Sequence, residues 1–275
     1  MKIPYLFLLA TLLLAPLAHA DTDSVTAGTS DWSFVIAPYA WLAGTGGTIT
    51  TDGVDQDFDL SFEDILDMTT GGFQIYTQAR YKRFFVAFDG TWARLGDGEE
   101  LLGGRIDFTV DQTIAEVQLG YRIAGPNFSA SSPDAAAFVP WGVELDAYLG
   151  VRYWRTDISL NVDLPGVPPL IPPVQVSGSG TDDWYEPLIG ARFRVGLTPT
   201  VGMSVFGNVG GFGIGDAADL TWTATLNVDW QFGQRWGVAF GWRTQSVEES
   251  SGSGVERNGS EILTTGPIVG FIYRF

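Results

Sequence analysis

From residue 32 to the end, the chain alternates apolar and polar side chains with period two, in ten stretches. They lie at 32–43, 72–81, 84–95, 105–123, 141–155, 183–197, 201–209, 220–232, 236–245 and 262–275, separated by clusters of Gly, Asp, Ser and Pro. The cleanest is 220–232. There Leu220, Trp222, Ala224, Leu226, Val228, Trp230 and Phe232 alternate with Thr221, Thr223, Thr225, Asn227, Asp229 and Gln231. Each stretch predicts a β-strand, and the first, 32–43, is apolar on both faces. In 105–123 the apolar phase slips between Val110 and Ala115, which predicts a β-bulge. After the N-terminus no segment approaches 18 consecutive apolar residues, so no helical membrane span is predicted.

The links alternate in length. Short ones fall at 82–83, 198–200 and 233–235, and longer ones at 44–71, 96–104, 156–182, 210–219 and 246–261. One link, 125–140, is long where a short one is expected. Short turns at one end and long loops at the other predict an up-and-down transmembrane β-barrel, with both termini on the periplasmic side. Hydrocarbon leaves no backbone group unpaired, so strands that cross it must close into a ring. Ten strands are expected, with eight or twelve as alternatives. The twelve-strand case arises if 54–62 pairs with 48–51 as a hairpin inside the wall. Trp41, Trp92, Trp141, Trp222, Trp230, Trp236 and Trp242 lie near strand ends or on outer faces, where an interfacial girdle would place them.

The polar faces separate this reading from a soluble β-sandwich. They carry Asp89, Glu116, Glu144, Asp146, Arg152, Glu186, Arg192, Arg194, Asp229 and Arg243, mixed signs at mid-strand. These ten predict a charge network filling the lumen, or else lining a narrow conduit for small solutes or ions. In the first long loop, Asp52, Asp55, Asp57, Asp59, Glu63, Asp64 and Asp67 form an acidic run. It has the oxygen density of a Ca²⁺ ligand set without the EF-hand spacing, and is read as a solvated loop. Within it, Ser61 and Asp64 have the spacing of a helix capping box. The Pro-rich tip around 164–174 predicts a stiff projecting loop. Gly207–Gly215 lacks the Lys and helix of a phosphate loop and reads as close packing or a turn.

Composition sharpens the picture at the N-terminus. Residues 1–20 read as an export signal: Lys2, an apolar run, then Ala18-His19-Ala20 before Asp21. Residues 21–31 are expected to be a short periplasmic segment and 32–275 the barrel. The whole chain has 275 residues, 15 Lys+Arg against 32 Asp+Glu, one His and no Cys. Cleavage removes Lys2 and His19, leaving 14 Lys+Arg against 32 Asp+Glu, a net charge of −18. That balance excludes a nucleic-acid binder, which needs a basic stripe. With neither His nor Cys in the mature chain, no enzyme, metal or cofactor is expected.

The chain ends Phe271-Ile272-Tyr273-Arg274-Phe275. The alternate aromatics Phe271, Tyr273 and Phe275 look like the terminal-strand signal that the barrel-assembly machinery recognises. Ala37-Pro38-Tyr39-Ala40-Trp41-Leu42, Ser61-Phe62-Glu63-Asp64-Ile65-Leu66, 183–192, 210–215 and 266–275 resemble a large, mostly uncharacterised family of proteobacterial outer-membrane β-barrel proteins. That family is distantly similar to OmpW- and OmpA-type small barrels. The resemblance implies fold and outer-membrane location and brings no activity with it. It implies contact with outer-membrane lipid and lipopolysaccharide. Two functions are open at this point: a non-catalytic barrel passing small solutes, or a closed structural barrel acting through its extracellular loops.

Overall fold

The computed structural model describes residues 31–101, 104–125, 138, 140–164 and 174–275. The expected export signal at 1–20 and the Pro-rich tip at 165–173 lie outside the described residues. In chain order the elements are β1 (Trp32–Trp41), β2 (Gly44–Thr51), β3 (Val54–Leu60), α1 (Phe62–Met68), β4 (Thr69–Tyr81), β5 (Phe84–Leu101) and β6 (Gly104–Ala124). They continue with β7 (Val143–Leu164), β8 (Val174–Gly196), β9 (Val201–Gly211), β10 (Leu220–Gln231), β11 (Trp236–Ser251) and β12 (Asn258–Arg274).

Ten of these strands, β1 and β4 to β12, close an antiparallel barrel. The seam is β1 on β12, with Ile36 opposite Tyr273 and Trp41 opposite Ile268. The β2–β3 hairpin forms but does not enter this ring. It pairs with the upper part of β12, from Gly44 opposite Thr265 to Thr50 opposite Gly259. So the chain follows β12 upward twice, first as β1 and then as β2, and β3 stands beside β2 above the ring. α1 then leads into β4. Its capping box is present: the Asp64 amide donates to the Ser61 hydroxyl at 3.2 Å and the Ser61 amide to the Asp64 carboxylate at 2.9 Å.

The outer face of the ring is apolar and open to its surroundings. Leu149 is 62% exposed, and Val117, Leu119, Val151, Ile189, Leu226, Val228 and Phe240 are exposed with it. Buried polar residues occupy the inside instead. This is a soluble fold turned inside out, as lipid requires. From Val143 to Tyr153 is ten steps along the strand, which at roughly 3.3 Å each and a tilt of roughly 40° spans about 25 Å, the height of an apolar membrane band. Aromatic rings bound that band. At the periplasmic end Trp32 meets Tyr81, Phe84 meets Tyr121, and Trp236 meets both Phe271 and Tyr273. At the other end Tyr153 meets Tyr185. Trp41 departs from the expected girdle. It faces the lumen, where its indole N–H donates to the Arg243 carbonyl at 3.3 Å and the Arg243 guanidinium sits over its ring.

The bulge expected near Val110 is not there. β6 pairs with β5 in one unbroken register from Phe84–Tyr121 to Leu101–Gly104. The slip has another cause. Within the lipid band the even-numbered residues of β6 are polar and face the lumen; above the band Ile106, Phe108, Val110 and Ile114 occupy that same inner face. Polarity inverts where the strand leaves the membrane, while the backbone continues. A real register shift sits lower, between Arg122 and Ala124.

Two packing features need glycine. At Gly120 a Cβ would collide with the Phe85 ring on the inner wall, and at Gly190 it would meet the Tyr148 ring and the Gly207 carbonyl. Gly120→Val is therefore expected to cost about 1–3 kcal/mol by overpacking. Urea unfolding in lipid vesicles measures this; an unchanged midpoint would show that the inner wall is slack there.

Candidate functional site: a charged lumen under an acidic extracellular sheet

The lumen holds six carboxylates and seven arginines; Arg80, Arg122, Arg152, Arg194 and Arg243 lie within 4.0 Å of a carboxylate, while Arg192 and Arg274 bond neutral side chains. Three clusters stack along it. In the first, Arg152 of β7 is fully buried between Glu116 of β6, at 2.8 Å, and Glu186 of β8, at 2.9 Å and also fully buried. Its guanidinium also reaches past β8 to Asn208 of β9, at 2.5 Å, and to Thr221 of β10, at 3.3 Å. One side chain thus ties five strands together through the centre. The stacked indoles of Trp154 and Trp184 lie on its extracellular side, with Arg152 against the Trp154 ring.

Nearer the periplasm, Asp146 receives Arg80 at 2.6 Å and Arg122 at 2.8 Å, and Arg122 also reaches Glu144 at 2.8 Å. Arg194 lies 3.7 Å from Glu144 and 4.0 Å from Asp229. The third cluster joins Arg243 to Asp89 at 3.2 Å, and the Tyr39 hydroxyl donates to the same Asp89 at 2.6 Å.

All ten residues named from the sequence face the lumen, and arginines from outside that set join them. Glu144 and Asp146 bond Arg122 and Arg80, residues outside the expected set, while Arg152 takes Glu116 and Glu186. Arg192 makes no ion pair among the described residues. It donates to Gln78 at 2.8 Å and to the Tyr76 hydroxyl at 2.9 Å, and its guanidinium lies over the rings of Tyr76, Phe85 and Phe206. Arg80, Arg122 and Thr221 lie on the polar faces of their strands as alternation places them, whereas Tyr39 belongs to a stretch apolar on both faces. Membership could be read from alternation, whereas partners depend on strand register.

The long periplasmic link at 125–140 gains a reason. Phe138 is 7% exposed, donates its amide to the Pro199 carbonyl at 3.0 Å, and lies against the inner side of β9 where Gly202 leaves it room. An aromatic ring thus enters the periplasmic mouth. The terminal aromatics Phe271, Tyr273 and Phe275 lie at the seam, where Phe275 donates its amide to the Phe34 carbonyl at 3.1 Å.

Outside the membrane the charge is one-sided. Segments 44–71, 93–113, 155–183, 211–219 and 248–262 together hold 22 Asp and Glu and 4 Arg. Burial, with Asp182 and Asp219 nearby, pushes the Glu249 carboxyl up from its usual range. Hydrogen bonds from Arg155 and Thr181 hold Asp157 below the usual range. In the β2–β3 hairpin, Asp55 pairs with Arg257 at 2.6 Å and Asp57 accepts from Thr48 at 2.7 Å. Among the described residues no three Asp or Glu converge as a metal site would need.

A closed ten-strand ring with an apolar exterior, aromatic girdles and a charged interior defines an integral outer-membrane β-barrel protein. No family model matches the chain, and no curated protein matches it. Among solved structures, the outer-membrane protease OmpT of Escherichia coli shares the fold, with a TM-score of 0.50 at 8% identity over 92% of this chain and 99% of that one. The outer membrane protein OprG of Pseudomonas aeruginosa aligns with a TM-score of 0.35 at 13% identity, over 90% and 98% of the two chains. Ail, the attachment invasion locus protein of Yersinia pestis, aligns with a TM-score of 0.30 at 10% identity, over 90% and 99%.

The first of these corrects one expectation. The missing His was read as excluding an enzyme, yet the fold is shared with a protease. Losing His removes one kind of base; it does not remove acid–base chemistry from a barrel rich in carboxylates. The likeness is one of fold, and that protein's proteolysis is not transferred to this chain.

Breaking a buried pair strands its partner charges, which costs more than the pair is worth. Arg152→Ala is expected to lose about 3–5 kcal/mol, because Glu116 and Glu186 are left unpaired. Adding Glu186→Gln should recover part of that loss. Unfolding midpoints of the two variants check this; a double variant weaker than the single one would contradict it.

Proposed function

We propose that the transmembrane barrel is closed to solutes and that the protein acts through its extracellular sheet. The observation carrying this is the complete burial of Arg152 and Glu186 at the centre of the ring. A ten-strand barrel is narrow, and bulky side chains at mid-height fill it. Here Arg152 links side chains on five successive strands, β6 to β10, and Arg243, Asp89 and Tyr39 fill the side lined by β11, β5 and β1, so a row of water could pass only by breaking these bonds. Phe138 at the periplasmic mouth supports the same reading. The ion pairs are worth keeping in such a lumen because each arginine has carboxylate or amide partners that replace water.

What remains to act is the outer part. β7 and β8 run 22 and 23 residues, about twice what the membrane needs, so half of each strand stands outside. A chain that only had to anchor itself would have no use for that length.

Recordings in planar lipid bilayers test the proposal. The purified barrel is expected to show no discrete conductance steps. Arg152→Ala combined with Glu186→Ala should produce them. Steady steps in the unaltered protein would restore the narrow-channel reading.

A further inference from the structure

The ladder of hydrogen bonds that closes the barrel does not continue above the membrane. β9 pairs with β8 only from Leu188 to Gly196, because β9 ends at Gly211. β8 goes on upward to Val174 with β7 alone as its neighbour. Among the described residues no backbone group pairs with the other side of β8 from Val174 to Pro187.

The direction of the free groups follows from the register. Gly196 donates to Gly142 toward β7, and Leu197 donates to Val201 toward β9. The β7 register is unbroken along β8, so even-numbered residues face β7 and odd-numbered ones face outward. The amides and carbonyls of Gln175, Ser177, Ser179, Thr181, Asp183 and Tyr185 therefore form an open edge. Proteins usually guard such an edge with Lys, Pro, a bulge or a cover. Between Val174 and Glu186 there is no Lys, Arg or Pro, and residues 175 to 183 are exposed throughout.

The two faces beside this edge differ. Inward lie Val176, Ile158 and Leu160, all exposed apolar side chains, with Gly178 and Gly180 leaving open space between them. Outward lie Ser177, Ser179, Thr181 and Asp183, beside Asp163 of β7 and the Arg155–Asp157 pair, which is closed at 2.7 Å. Asp182, Asp219 and Glu249 crowd together near the foot of the edge.

Building on the closed-barrel reading, we propose that the free edge of β8 binds an extended basic segment of another protein by strand addition, with alternating apolar and cationic side chains. The backbone of the segment would pair with the odd-numbered residues of β8, as in other cases where an extended peptide completes a sheet. Its apolar side chains would fill the space over Gly178 and Gly180 against Ile158 and Leu160. Its cationic side chains would meet Asp163 and Asp183. A second copy of this chain is a poor occupant, because two surfaces with 22 acids and 4 arginines each repel.

The test uses the full-length barrel in lipid nanodiscs and a dye-labelled octapeptide of alternating Val and Lys, titrated by fluorescence anisotropy. The controls are a peptide of the same composition with its four Val and four Lys in separate blocks, and an alternating Val and Glu peptide. Saturable binding of the alternating Val–Lys peptide is expected, with the block peptide about tenfold weaker and the Glu peptide not bound. Ser179→Pro removes an outward amide without touching the β7 ladder, and should weaken binding about tenfold. Ser177→Pro is the second variant should the first fold poorly, and Thr181→Lys should weaken binding through charge alone. Equal binding of the block peptide, or full binding to both folded Pro variants, would overturn the proposal. Self-association of the free barrel that the Pro variants abolish would overturn it in favour of a second copy. The peptide does not enter the lumen, so a barrel that conducts would leave this result readable.

Discussion

Everything in this molecule follows from one constraint: inside hydrocarbon each backbone N–H and C=O must find a partner within the protein. The seam between β1 and β12 meets it by closing the ring. Above the lipid the constraint lapses. There β1 stops at Trp41, β2 takes its place beside β12, and β9 and β10 end while β8 and β11 continue. The extracellular part is therefore two partial sheets with open edges, standing on a barrel with none. The boundary between closed and open ladders marks the boundary of the membrane.

Closure also decides the charges. A narrow ring turns about half of its side chains inward, where they must fill space and stay soluble enough to fold. Arginine suits this, since one planar group can bond several carboxylates and amides at once. Seven of the chain's arginines are spent in the lumen against six carboxylates, close to balance. The whole acid excess is thereby left for the outer sheet. Net charge, which for the sequence is a single number, is in the structure a gradient from a balanced interior to a strongly acidic exterior.

The strands could be read from the sequence because lipid and lumen impose opposite demands on successive residues. That signal fails where the demand changes. In β6 the apolar residues Val110 and Ile114 lie on the same face as Glu116 and Gln118, and only the height above the membrane separates them. Alternation cannot encode height, so the change looked like a bulge. The β2–β3 hairpin was visible as a pairing, but not its place on β12, because that contact joins residues some 200 positions apart. The same limit applied in the lumen. Arg122 and Arg80 sat in plain view on polar faces, yet their partner Asp146 is set by the register of β6 on β7 and by a reach across from β4. Phe138 carried no pattern at all, since a single ring tucked into a mouth has no period. Trp41 looked like a girdle residue by its position near a strand end, and its inward phase was the clue against it.

The absence of cysteine in the chain makes a direct test of this division available. Single cysteines at Leu149 on the outer face, Thr225 in the lumen and Ile158 above the band can be offered charged, water-soluble and lipid-soluble maleimides in sealed vesicles. Ile158→Cys is expected to react with the charged reagent from outside, Leu149→Cys only with the lipid-soluble one, and Thr225→Cys with neither until the barrel is unfolded. Rapid labelling of Thr225→Cys by the charged reagent in the folded protein would show water throughout the lumen and contradict it.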